Sequence, residues 1–242
     1  MKKINENSFI NVLSNVIISL IVLVIVLLSF GTEIKSVFGS STEKPYYYGN
    51  RNTKNVTLMV NVYWGTEYVD GMLDAFDDAG VKTTFFIGGT WADQNPEMTA
   101  KIFKRGHELA NHGYFHKDHK NLNVARNREE IFNTESLIQA LTGVKTTLFA
   151  PPSGSFSDIT LQVAKDLGYR TIMWSKDTID WRDKDNSLIY KRATTSVEGG
   201  DLILMHPTAE TVIALPRILK YYRENGFKVV PVSENIKEEI QE

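Results

Sequence analysis

Short apolar runs that alternate with helical stretches constrain this chain more than any other feature. "VTLMVNV", "KTTFFI", "HELAN", "TTLFA", "YRTIMW", "DLILM" and "FKVVPV" follow one another from residue 56 onward. Between them apolar residues recur three or four apart. Tyr68, Met72, Leu73 and Phe76 make one such face, which ends at Gly80. Further helices are expected near residues 96–105, 128–142, 158–167, 187–198 and 214–225. Gly106, Gly143, Gly168 and Gly226 each follow a helix, where a left-handed cap favours glycine. Strand–helix alternation of this kind means an α/β fold with a parallel sheet, open or closed into a barrel. The strands are runs rather than clean alternations, as expected when both faces are buried.

The N-terminus belongs to a different solvent. "FINVLSNVIISLIVLVIVLLSF" fills residues 9–30, and no charge falls between Glu6 and Glu33. A bilayer core needs about 20 mostly apolar residues, whereas a cleaved signal core has about 7–15. The length favours an uncleaved transmembrane anchor over cleavage near "SVFGSS". Lys2 and Lys3 favour a cytoplasmic end at residues 1–8, which puts the following domain outside. Residues 31–54 read as a linker, with the cluster "YYYGN" inside it, and residues 55–242 as one domain. The expected location is the cell membrane, single-pass, with an extracytoplasmic C-terminal domain. Net charge is −2, which gives no electrostatic case for nucleic acid. The chain has no cysteine, which excludes disulfides, zinc–thiolate sites and cysteine nucleophiles.

Parallel sheets carry their sites at the C-terminal ends of the strands. Those ends read "NVYWGTE", "NHGYFHKDH", "APPSGSF", "WSKDTIDW" and "MHPT". They bring His112, His116 and His206 to one face. Imidazoles four residues apart at a strand-to-helix junction can converge on one divalent ion, and a third ligand, usually a carboxylate, is then expected. His206 can act as a catalytic acid with Asp180 as its orienting partner, or simply bond to backbone at a sheet end. His107 in "GHELA" reads as a packing residue, and His119 as surface.

Taken in order, "GVKTTFFIGGTWADQNPEM", "GHELANHGYFH", "TGVKTTLFAPPSGSFSD", "LGYRTIMWSKDTIDW" and "DLILMHPT" resemble five successive blocks of the polysaccharide deacetylase family (NodB homology, carbohydrate esterase family four). The sporulation-type, membrane-anchored subgroup is the most similar. The resemblance implies a distorted (β/α) barrel of seven or eight strands. It also implies metal-dependent hydrolysis of N-acetyl groups on a glycan. A divalent cation, zinc as first candidate, would polarise the acetyl carbonyl, an Asp would act as base and a His as acid. By match, His112 and His116 correspond to metal-binding histidines, His206 to the acid, and Asp180 to its orienting carboxylate. Trp181, Trp64, Pro152, Ser153, Gly154 and Phe156 would line the sugar groove. An outward-facing domain implies a cell-wall polymer such as peptidoglycan as substrate.

The first strand end departs from the family. Where the family keeps two aspartates, aligned on Trp64-Gly65, this chain has Asn61 and Tyr63. An amide can ligate a metal through its oxygen but cannot take a proton, and a phenol stays protonated at neutral pH. The Arg that pairs with the family's base is Ala150 here. Losing both is coherent, because an Arg without its carboxylate is an uncompensated charge. One expectation is a deacetylase with a substitute carboxylate, Glu67 first, then Asp70 or Asp177, and with Asn61 and Tyr63 standing among the metal ligands. The alternative is a catalytically impaired glycan-binding pseudoenzyme or a cell-wall scaffold protein.

Overall fold

In β1, Asn55–Val62, every second residue belongs to a different core. Val56, Leu58, Val60 and Val62 pack under the helices, while Met59 joins Phe86, Ala110, Leu148, Ala150, Ile172 and Leu202 inside the curve of the sheet. The second side is mixed, with Thr57 and Asn61 buried beside Met59, so the strand is buried on both sides without being apolar on both. The computed structural model describes residues 14–25 and 44–237.

The chain divides into two units, Met1–Ser41 and Thr42–Glu242. In the first, residues 14–25 form helix α1, and its apolar side chains are exposed. Among the described residues no helix is long and apolar enough to cross a membrane. The rest of the expected span, residues 9–13 and 26–30, lies outside the described residues.

The second unit is an eight-stranded, all-parallel curled sheet. After β1 come α2 (Thr66–Asp78), β2 (Thr84–Ile87), α3 (Gly89–Gln94), α4 (Pro96–Lys104) and β3 (Glu108–Asn111). Then follow α5 (Val124–Thr142), β4 (Leu148–Phe149), α6 (Asp158–Asp166), β5 (Arg170–Thr171) and β6 (Lys176–Asp177). The chain continues through α7 (Asn186–Thr194), β7 (Leu202–Met205), α8 (Ala209–Glu224), β8 (Lys228–Val229) and α9 (Val232–Asn235). The sheet order is β5-β4-β3-β2-β1-β7-β6, with β8 beside β1. The run "YRTIMW" is therefore not one strand. It ends β5 and crosses to the opposite edge, where β6 pairs with β7.

That crossing leaves a seam between β5 and β7. Residues expected as linker occupy it. Tyr46 bridges Ile172 in parallel, and Tyr48 bridges Asp201 in antiparallel sense. The Tyr46 N–H donates to the Thr171 carbonyl and the Met173 N–H to the Tyr46 carbonyl, at 2.9 and 2.7 Å. Arg51 then ties the strap down, donating to the buried Asp201 carboxylate at 2.8 Å. Packed structure thus begins ahead of residue 55.

Candidate active site

The strand ends place a cleft of about 470 Å³ over the open end of the barrel. Asn61 and Tyr63, two residues apart on β1 and its exit, share its inner face. Asn61 is 3% exposed, and its Oδ1 has no hydrogen-bond partner. The Tyr63 ring lies against His116, centroids 3.6 Å apart and planes 26° from parallel. Its centroid is 5.9 Å from that of His112.

His112 is buried at the end of β3, and its Nδ1 lies 2.8 Å from the Ala150 carbonyl. A carbonyl only accepts, so Nδ1 carries the proton and Nε2 the lone pair. Burial first, then the nearby His116, holds the His112 pKa well below the usual imidazole value. Burial lowers that of His116 also. The loop between the two histidines is pinned from α5. One buried Glu130 oxygen accepts both the Tyr114 and Phe115 N–H groups at 2.8 Å.

On the facing wall Asp180 receives three donors. They are the His206 N–H at 2.6 Å, the His206 Nδ1 at 2.8 Å and the Thr211 hydroxyl at 2.7 Å. This leaves His206 Nε2 as the ring nitrogen free for chemistry. Trp64 lies nearly parallel to the His206 ring, with centroids 6.0 Å apart. Asp177 also lines the cleft, its Oδ1 accepting from the Ile179 N–H at 2.8 Å. Strain gathers here. Three of the described non-glycine residues with positive φ are His116, Ser153 and Ile179, all in strand-end loops at the cleft. Such conformations cost about 1–3 kcal/mol each and persist only where their surroundings enforce them.

Of the residues expected to line the groove, Ser153 borders the cleft and Trp181 stands at it, 53% exposed. Gly154 approaches Trp174 so closely that a Cβ there would lie 2.8 Å from the indole. Pro152 is buried beneath, and Phe156 is half-buried outside the cleft lining. Glu67 is a correction. Helix α2 buries Val69, Met72, Leu73 and Phe76, and Glu67 lies about 200° around the helix from Val69. It is exposed and outside the cleft lining. Asp70 pairs with Lys101 at 2.6 Å. His119 is also a correction. It is fully buried against Phe149, with Nδ1 2.8 Å from the Asn127 side-chain oxygen. His107 packs against Phe76 and Phe85 as expected. Sequence reading missed Trp174 and Leu204 as cleft residues. Counting back by two from His206 along β7 would have found Leu204.

The donors present do not fit a resident divalent cation. Among the described residues no group of three or more His, Cys, Asp or Glu side chains could hold one. Tyr63 covers a face of His116, and Asn61 brings no charge.

A curled parallel sheet with an H-x3-H pair facing an Asp–His pair across one cleft defines the class: a carbohydrate deacetylase fold. The sequence pattern of polysaccharide deacetylases matches residues 48–172, and the chain belongs to that family. It is similar to the uncharacterized protein YlxY of Bacillus subtilis, 37% identical over 191 residues, covering 79% of this chain and 60% of that protein. It is also similar to a structure described as a CE4 family pseudoenzyme, BA3943 of Bacillus anthracis. There the TM-score is 0.79 and the identity 36%, over 81% of this chain and 70% of that one. A mutant of BA3943 is described as having restored enzymatic activity. The peptidoglycan-N-acetylglucosamine deacetylase PgdA of Listeria monocytogenes is 26% identical over 86% of this chain and 44% of its own length. The matched region is thus well short of the full length of these curated relatives.

Proposed function

We propose that this protein binds a cell-wall glycan such as peptidoglycan in a deacetylase cleft without hydrolysing it, tethered to the outer face of the cell membrane by residues 9–30. The observation that carries the reading is the stacking of Tyr63 on His116. It fills the approach that a metal-binding carboxylate would need. With Asn61 beside it and Ala150 in place of an arginine, no group at the first strand end can take a proton from water. The chain's own residues still do several things. Asp180 orients His206, Glu130 shapes the histidine loop, and Trp181 and Trp174 offer faces to a sugar ring. The pseudoenzyme character of BA3943 supports this reading, as does the uncharged run at residues 9–30 for the tether.

The intact Asp180–His206 pair favours a second reading, a hydrolase using Asp177 as the substitute carboxylate. Amine release from acetylated glycan fragments separates the two. Wild type should release none, with or without zinc. The triple substitution Asn61→Asp, Tyr63→Asp, Ala150→Arg should release amine in a zinc-dependent way. Release by wild type that His206→Ala abolishes would establish the second reading instead.

A further inference from the structure

The cleft has acceptors in excess and no cation of its own. Asn61 Oδ1 is buried on its inner face without a donor. A buried carbonyl oxygen in that state points to a donor that a ligand brings. Asp177 lines the same space, and only its Oδ1 is engaged, by Ile179. Asp180 places a second carboxylate directly behind His206. No Lys or Arg is among the residues lining the cleft; Arg182, over the outer Trp181 ring at 5.9 Å, is paired with Asp183. Trp174 adds an aromatic ring, whose quadrupole attracts cations, and Trp181 already carries the Arg182 guanidinium over its ring.

An acetamido group in a hydrolytic site needs a positive centre for its carbonyl. Here the one carboxylate in the lining is that of Asp177, which is of no help to a carbonyl but attracts an ammonium. We propose that the cleft selects the free amine of a de-N-acetylated hexosamine, as its ammonium, over the N-acetylated unit. The protein then reads the product of a deacetylation carried out by another enzyme. This rests on the reading that the cleft binds glycan without hydrolysing it.

The test is calorimetric titration of the full chain in detergent micelles with two probes, the glucosamine tetramer and the N-acetylglucosamine tetramer. It is run at mildly acid pH, where sugar amines are protonated. The glucosamine tetramer should bind about tenfold tighter or more, and added salt should weaken it alone. Asp177→Asn keeps the acceptor for the Ile179 N–H and should bring the affinity ratio close to one. Equal affinities in wild type, or tighter binding of the acetylated tetramer, overturn the amine preference and leave the glycan-binding reading standing. A preference unchanged in Asp177→Asn overturns the assignment to this cleft. Binding of neither tetramer, or release of acetate, overturns both readings together.

Discussion

Tyr63 lies on His116 at the end of β1, ring centroids 3.6 Å apart and planes 26° from parallel. An aromatic ring in that place removes a charge and also occupies space. Beside His112 and His116 the strand end therefore offers a ring in place of an acidic donor.

Replacing that ring should reopen the site. Tyr63→Asp supplies a carboxylate beside His112 Nε2 and uncovers His116. Zinc binding, measured by competition with a chromophoric chelator, should strengthen at least about tenfold relative to wild type. Equal affinity in the two proteins would place Tyr63 outside the determinants of metal exclusion.

Glu130 should be worth more than an ordinary buried acid. Glu130→Ala leaves the partly buried Tyr114 and Phe115 N–H groups without their side-chain acceptor. With water able to reach part of the loop, losing both bonds costs roughly 1–3 kcal/mol together. The melting temperature should fall by about 2–12 °C for a domain of this size. A fall of a degree or less would mean that the loop finds other partners.

Stability should decline in mild acid. Burial holds His107 and His119 to about 4, below the usual imidazole value. The unfolded chain therefore takes up protons before the folded one does. The stabilisation is complete above the unfolded value and is lost as pH falls towards about 4. Its size is on the order of 3 kcal/mol for each histidine. Urea midpoints taken near pH 7 and near pH 4.5 should differ accordingly. A flat profile, or no flattening in the double variant His107→Gln, His119→Gln, would contradict this account.

Asp180→Asn should disturb His206 without touching the rest of the cleft. One acceptor oxygen becomes an NH2 that can only donate, so either the His206 N–H or its Nδ1–H loses its acceptor. We expect a loss of about 1–3 kcal/mol and a mixed tautomer at His206, visible in its nitrogen chemical shifts. An unchanged Nδ1–H signal would show that Asp180 does not fix the ring.

Much of this was legible in the sequence, because period and position carry it. The run on β1, the glycines after the helices and the polar strand ends located the fold class and one face of it. The two histidines, Asp180 and His206 all come to one cleft. Glu67 was misplaced by counting along the chain rather than around the helix, although Val69, Met72 and Phe76 already define a face it does not share. The break in "YRTIMW" was hidden for a different reason. Its apolar residues serve a crossing between sheet edges, and no local pattern distinguishes a crossing from a strand. Trp174 was missed with it, since its role depends on Gly154 coming close from another loop. His119 is buried by contacts with Asn127 and Phe149, both remote from any pattern around it.

The strap at Tyr46–Tyr48 has a mechanical consequence. The chain enters the domain not beside the sheet but as the stitch along its seam. A pull on the chain from its N-terminal side is borne first by the backbone bonds of Tyr46 to Thr171 and Met173. Trp174 follows Met173 directly and forms part of the cleft wall. The same few bonds that close the seam are thus a force path, running from the strap to the wall of the cleft.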